Sequence, residues 1–236
     1  MRIYHFIFIF LFSGCSSMYI PSPKNIPLFE EKGEIQIEVG GSTNSIFVTG
    51  SYAFSEKYAL IANGSMAYSY INGKPIGRHG GEINLYPGTD VPHRSIEVGL
   101  GRYNLLPSSK RRLEVFAGTG YGAAHSYIKD NDKQHYFQGF VQINTGKRYN
   151  RTELGWSLRT AFSGFFYQEG FKVIEHGNCQ TLHFEPLFVV RTGGQHVKAS
   201  FRTGFSIPCL LSSPPGPIGG YTLLHFSAGM SFRFKQ

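Results

Sequence analysis

Residues 59–70 read ALIANGSMAYSY, and the residue types alternate. Leu60, Ala62, Gly64, Met66, Tyr68 and Tyr70 share one parity, while Ala59, Ile61, Asn63, Ser65, Ala67 and Ser69 share the other. Successive side chains of an extended chain point to opposite faces, so this stretch reads as a strand with one apolar and one more polar side. A helix would instead repeat every three to four residues. The question is what covers the apolar face.

The same period recurs along the chain. In 95–103, Ile96, Val98 and Leu100 oppose Ser95, Glu97, Gly99 and Gly101. In 112–122, Leu113, Val115, Ala117, Thr119 and Tyr121 oppose Arg112, Glu114, Phe116, Gly118 and Gly120. In 152–163, Leu154, Trp156, Leu158 and Phe162 oppose Glu153, Gly155, Ser157, Arg159 and Ser163. In 197–207, Val197, Ala199, Phe201, Phe205 and Ile207 oppose Lys198, Ser200, Arg202 and Ser206. The last such stretch sets Leu224, Phe226, Ala228, Met230, Phe232 and Phe234 against His225, Ser227, Ser231 and Arg233.

Ten segments follow, at 33–41, 45–54, 58–70, 93–103, 112–124, 135–146, 151–163, 181–192, 196–207 and 221–235. Transmembrane strands need ~9–11 residues, whereas strands of soluble proteins average ~5–6. These segments fit the longer class, so lipid is the expected cover. The connections between them alternate. Ser55-Glu56-Lys57, 104–111, 147–150 and 193–195 are short, while 71–92, 125–134, 164–180 and 208–220 are longer. Tight turns at one end and long loops at the other mark a transmembrane barrel, with the short turns periplasmic. The first hairpin, at Gly40 to Asn44, is the exception, being short where a long loop is expected.

The expected architecture is an all-β, antiparallel up-and-down transmembrane barrel of about ten strands over 33–236. Eight strands remain the alternative if 33–54 folds outside the barrel. A charge facing lipid near the midplane costs ~2–4 kcal/mol. Glu97, Glu114, Glu153, Arg159, Glu185, Lys198 and Arg202 all fall on the polar parity and are therefore assigned to the lumen. A ten-stranded barrel is narrow. These side chains are expected to pair across it as a plug of ion pairs, with His183 and His225 beside them.

Composition agrees. Charged residues make up 16% of the 236, aromatics 15%, and there are 29 glycines. The formal charge of +8 is scattered, with small groups at Lys110-Arg111-Arg112 and Lys147-Arg148-Arg151 in turns. That distribution does not form the basic face of a nucleic-acid binder.

The N-terminus carries a different signal. Arg2 precedes an apolar run from Ile3 to Phe12, which is too short to span a bilayer and suits a secretory signal. Leu11-Phe12-Ser13-Gly14-Cys15 then resembles a bacterial lipobox. That resemblance implies a signal peptide over 1–14 and acylation of Cys15 as the first mature residue. Residues 15–32 hold Pro21, Pro23 and Pro27 and read as an extended tether. With an even strand number both termini belong to the short-turn side, so the lipid anchor is expected on the periplasmic side.

The chain ends Phe232-Arg233-Phe234-Lys235-Gln236, an aromatic final strand similar to the insertion signal of bacterial outer-membrane barrels. Together with the lipobox and the stretches YIPSPKNIPLFEEKGEIQIEVGGS, EVGLGRYN and EVFAGTGYGAAHSY, it resembles an uncharacterised group of lipid-anchored outer-membrane barrels of Bacteroidetes-type bacteria. The resemblance implies an outer-membrane location and contact with outer-membrane lipids. It implies no specific activity.

Cys179 and Cys209 fall in adjacent expected outer loops, and a disulfide between them is expected in an oxidising compartment. No Cys-x-x-Cys or His-x-His spacing points to a metal, and no cofactor is implied. Gly118-Thr119-Gly120-Tyr121-Gly122 looks like a phosphate loop, but no helix follows it. Glycine in a strand more often makes room for a bulky neighbour. Tyr58, Tyr103, Tyr121, Tyr127, Tyr149 and Trp156 are candidates for aromatic girdles at the membrane interfaces.

Three functions remain. The first is a structural or accessory barrel with a plugged lumen, binding an outer-membrane protein partner through 71–92, 164–180 and 208–220. The second is an outer-membrane protease or lipid-modifying enzyme using rim residues such as His125, His135, Asp130, Asp132 and His176. The third is a narrow pore, against which the crowded lumen argues.

Overall fold

The computed structural model describes residues 23–42, 45–67, 93–104, 106, 111–125, 133–169, 172–210 and 224–235. Within these, side chains are described except at 124–125, 133–134, 165–169, 172–179 and 208–210. Cys15, Tyr127, Asp130 and Asp132 lie outside the described residues, as do the side chains of His125, His176, Cys179 and Cys209.

The elements are β1 (Glu34–Ser42), β2 (Ser45–Tyr52), β3 (Tyr58–Ala67), β4 (His93–Arg102), β5 (Arg112–His125), β6 (Lys133–Arg148), β7 (Thr152–Glu169), β8 (Lys172–Gly193), β9 (Val197–Phe205), β10 (Ile207–Leu210) and β11 (Leu224–Lys235). Each of β1 to β8 pairs antiparallel with the next. β8 pairs with β9, β9 with β11, and β11 returns to β1, where Glu34 faces Lys235 and Ser42 faces Ser227. The sheet is therefore closed. Because lipid supplies no hydrogen bonds, closure removes the edges that a membrane would punish.

β9 and β10 form one wall position. Leu187 pairs with Gly204 and Phe184 with Ile207 on a single register along β8. Pro186 lies between those pairs and has no N–H to give, which accounts for the break at Ser206. The barrel has ten strands, and β1 and β2 are part of it, which removes the eight-strand alternative.

The parity read from the sequence holds around the wall. In β3, Leu60 and Met66 are exposed to the outside while Ile61, Asn63 and Ser65 are buried inside. Ile96, Val98, Leu100, Val141, Trp156, Leu158 and Phe201 form part of the outward apolar surface. Tyr58, Tyr149 and Trp156 are exposed, as a girdle requires. Tyr103 departs from it: it is buried, its ring is tilted 56° against Phe29 with centroids 5.3 Å apart, and it donates a 2.6 Å hydrogen bond to the Ser55 carbonyl.

Two boundaries differ from expectation. Residues expected to form the loop 164–180 mostly extend β7 and β8 as a long hairpin, with a register shift between Phe165 and Tyr167. Cys179 and Cys209 accordingly belong to β8 and β10 rather than to loops. The alternation weakens beyond Ser163, which hid these extensions.

The larger difference is at the N-terminus. Residues 23–29 are not a solvated tether. They enter the lumen, and every one of them is buried.

Candidate functional site: the plugged lumen

The site is the interior of the barrel, built from the inward parity of the strands and from the segment Pro23–Phe29. The segment has no strand partner, so its backbone groups take side-chain partners from the wall. Arg191 Nη1 donates to the Ile26 carbonyl at 2.9 Å, Arg202 Nη1 to the Lys24 carbonyl at 2.9 Å, and Arg233 Nη2 to the Pro27 carbonyl at 2.9 Å. Gln142 Nε2 donates to the Asn25 carbonyl at 2.6 Å, and the Phe29 amide donates to Glu114 Oε1 at 2.7 Å. Asn25 Nδ2 reaches the Gly50 carbonyl at 2.8 Å. Buried backbone groups must be paired, and here arginine replaces the missing ladder.

The apolar side chains of the segment fit dents in the wall. Gly146 and Gly155 face each other across β6 and β7. A Cβ on Gly146 would lie 2.7 Å from Leu28 Cδ1, and one on Gly155 would lie 3.1 Å from Ile26 Cγ2. Leu28 has a φ of 53°, a left-handed conformation that bulky residues avoid. It is held there by burial with Ile26, Leu187 and Val189.

Ion pairs fill the rest in two groups. Toward the long-loop end, Arg159 donates from both Nη atoms to Glu97 at 2.7 Å, and its Nε lies 3.4 Å from Glu185 Oε2. Lys24 Nζ lies 3.4 Å from the same Glu185 oxygen, and Ser206 Oγ donates to Glu185 Oε1 at 3.0 Å. Asn63 and Gln138 also donate to Glu97, and the Arg159 guanidinium sits 4.2 Å over the Phe140 ring. Toward the short-turn end, Glu38 takes Arg202 at 2.6 Å and Arg191 at 3.1 Å. Glu153 is surrounded by Arg191, Arg233, Lys198 and Arg148 at 3.2–3.4 Å. Glu34 pairs with Arg148 and Arg233.

All seven residues assigned to the lumen from sequence are buried there. The structure brings Arg159 to Glu97 and Glu185, Lys198 to Glu153, and Arg202 to Glu38. Glu114 differs: its described partners are the Phe29 amide and Asn144 Nδ2, not a base. Sequence reasoning missed Lys24, Glu34, Glu38, Arg148, Arg191 and Arg233 as network members. Glu34 and Glu38 follow the same inward parity in EIQIEVGG, a signal that was there to be read.

The glycine-rich stretch of β5 serves packing. Gly118, Gly120 and Gly122 pair with Phe140, Gln138 and Tyr136 of β6. A Cβ at each would fall within 2.0–2.8 Å of that partner's side chain. His183 and His225 are buried in the lumen as assigned. His135 is buried and hydrogen-bonds the Tyr121 hydroxyl. Among the described residues, no group of three or more His, Cys, Asp or Glu is placed to hold a metal.

No family model matches the chain, and no curated protein does. Among solved structures, the chain is similar to the outer membrane protease OmpT from Escherichia coli, at 12% identity and a TM-score of 0.47, over 92% of this chain and 100% of that one.

Proposed function

We propose that this protein is a lipid-anchored, sealed outer-membrane barrel that acts as a structural or accessory component and binds a membrane-protein partner through its long-loop end. One observation carries the sealed part of this reading. Lys24–Phe29 occupy the lumen with their side chains buried and their carbonyls held by Arg191, Arg202 and Arg233. A channel needs a hydrated path, and here arginine and backbone fill it.

Acylation at Cys15 and membership of a Bacteroidetes-type lipoprotein group belong to the same reading, supported by the lipobox and the barrel stretches in the sequence. The unequal strand lengths support the partner role. β7 and β8 have 18 and 22 residues against 9 and 8 in β1 and β2, so the wall on the β7–β8 side stands taller at the loop end than on the β1–β2 side.

Planar-bilayer recording tests the seal. The intact protein is expected to show no steady current, and a variant lacking residues 23–29 is expected to conduct. Steady single-channel steps from the intact protein would overturn the reading. Comparative proteomics of a strain lacking the gene tests the partner role, the expected outcome being loss of a second outer-membrane protein.

A further inference from the structure

β4 carries two arginines on its lipid-facing side. The outward parity of β1, β2 and β3 holds no charged residue, whereas on β4 Arg94 and Arg102 flank Ile96, Val98 and Leu100, and all five side chains are exposed. The arginines are eight positions apart, which amounts to ~26 Å along a strand and ~20 Å of height at the usual tilt. The apolar band of an outer-membrane barrel is ~25 Å tall. Both guanidinium groups therefore lie at headgroup level, Arg94 toward the long loops and Arg102 toward the short turns.

Beside Arg94 the outer wall is dented. Val39, Val48, Gly64, Ile96 and Tyr121 pair in one outward row across β1 to β5. Ile46, Met66 and Arg94 pair in the next row toward the long loops. Together they line an apolar groove of about 670 Å³, within the ~300–1,000 Å³ usual for small-ligand sites. Gly64 is its floor. A Cβ there would lie 3.6 Å from Val48 Cγ1 and 3.9 Å from the Ser95 carbonyl oxygen, so the wall itself leaves room for a side chain. Gly118, Gly120 and Gly122 differ, because their neighbours occupy that room. Tyr121 adds a polar group at the Arg94 end. Its hydroxyl hydrogen-bonds His135, which lies on the row of Arg94 through Ala123.

We propose that this groove binds one phosphate-bearing lipid of the outward leaflet, with the phosphate on Arg94 and an acyl chain over Gly64. The charge complementarity is specific. A guanidinium fork matches two phosphate oxygens, and at the edge of the hydrocarbon such a pair is stronger than in water. A dent that is apolar along its floor and cationic at one end suits an amphiphile that is anionic at one end. A second copy of the chain suits it less. Two copies related by an axis along the membrane normal would bring Arg94 to the level of its own mate, cation against cation. The proposal goes beyond the protein-partner role above and rests on the membrane placement of the barrel, not on the seal.

Native mass spectrometry of the full-length protein in detergent micelles tests this, with dioleoylphosphatidic acid and dioleoylphosphatidylcholine titrated separately. The expected result is one phosphatidic acid bound about tenfold or more tightly than phosphatidylcholine, the range of a charge-assisted hydrogen bond. Arg94→Gln is expected to remove that preference and leave phosphatidylcholine binding as it was. Gly64→Leu fills the floor and is expected to weaken both lipids. Arg102→Gln, at the opposite rim, is expected to leave the first phosphatidic acid in place, and inorganic phosphate is expected not to displace it. A preference that survives Arg94→Gln overturns the site. Equal losses in Arg94→Gln and Arg102→Gln overturn it in favour of diffuse charge. Displacement by inorganic phosphate overturns the role of the acyl chain. A lipid-free dimer that Gly64→Leu dissociates overturns the proposal by assigning the groove to a second copy. Should Gly64→Leu fail to assemble, the Arg94→Gln and Arg102→Gln comparison decides.

Discussion

Arg159 of β7 and Glu97 of β4 meet across the lumen through two 2.7 Å hydrogen bonds, and neither side chain retains any exposure. Three strand-to-strand steps separate them along the wall, so the pair spans the barrel rather than decorating one side. Arg159 also serves Glu185. Removing one member of a buried pair strands a charge and costs ~3–5 kcal/mol, whereas replacing both by apolar groups is far milder. Arg159→Met is expected to fall in that range because it leaves Glu97 buried without a base, while Glu185 keeps Lys24. Glu97→Leu costs less because Arg159 keeps Glu185. The double variant costs less than the sum. Urea unfolding in lipid vesicles measures all three, and strictly additive losses would show that the pair is not coupled.

Gly155 is expected to control the seal. A Cβ there would lie 2.9 Å from Val189 Cγ1 of the wall, 3.1 Å from Ile26 Cγ2 and 3.5 Å from Leu28 Cδ1, so its missing side chain leaves space that the segment shares with Val189. Gly155→Leu fills that space from the wall and evicts the segment, so this variant is expected to conduct while still inserting. Ile26→Ala in the same chain returns part of the room and reduces the current. Bilayer recording reads both, and a silent Gly155→Leu barrel counts against the role of this dent.

Gly122 pairs with Tyr136, and an added Cβ would lie 2.0 Å from the ring. Overpacking of this kind costs ~1–3 kcal/mol. Gly122→Ala is expected to lower stability by that amount, and to add little further loss in a Tyr136→Ser background, whose own cavity is the larger cost. Gly139, where an added Cβ meets nothing within 4 Å, serves as the comparison, since Gly139→Ala is expected to be neutral to about 0.5 kcal/mol. A full loss in Gly122→Ala that Tyr136→Ser fails to relieve would point away from the ring as the cause.

These contacts show what sequence alone carries. The wall was legible because every strand obeys one rule: lipid outside admits apolar side chains, so parity assigns Glu97, Arg159 and Arg202 inward without any knowledge of their partners. Gly118, Gly120 and Gly122 were legible for the same reason. The plug was not. PKNIPLF, residues 23–29, has no period, because its backbone is satisfied by side chains 85 to 206 residues away rather than by a neighbouring strand. The extended β7–β8 hairpin was missed because alternation carries information only where lipid selects one face.

Tyr103 closes the short-turn rim beneath Phe29. Burial, with Glu56 next in effect, raises its phenol to about 12. The neutral form is favoured in the folded state. The stability this adds is complete below pH 10, the ordinary tyrosine value, and is lost as pH rises toward 12. Tyr103→Phe removes the bond to Ser55 and is expected to cost about 1 kcal/mol near neutrality. It should also flatten the alkaline loss. Unfolding midpoints of the two proteins followed from pH 10 to 12 test this, and parallel slopes would exclude Tyr103 as the source.

Trp156 is the only tryptophan in the chain, so it reports the membrane by itself. It lies four residues inside β7 from the short-turn end, on the outward parity, 57% exposed and with its ring centroid 4.5 Å from Phe188. Four strand residues along a tilted wall place it ~10 Å above the rim, where an aromatic girdle meets the hydrocarbon. Its emission is therefore expected to be quenched strongly by brominated phosphatidylcholine and hardly at all by aqueous iodide. Trp156→Phe should abolish the signal with little change in stability, because the ring faces lipid rather than the ion network. Quenching by iodide as strong as that by bromolipid would place the outward face in water, and the apolar parity of all ten strands would then need a protein cover instead of lipid.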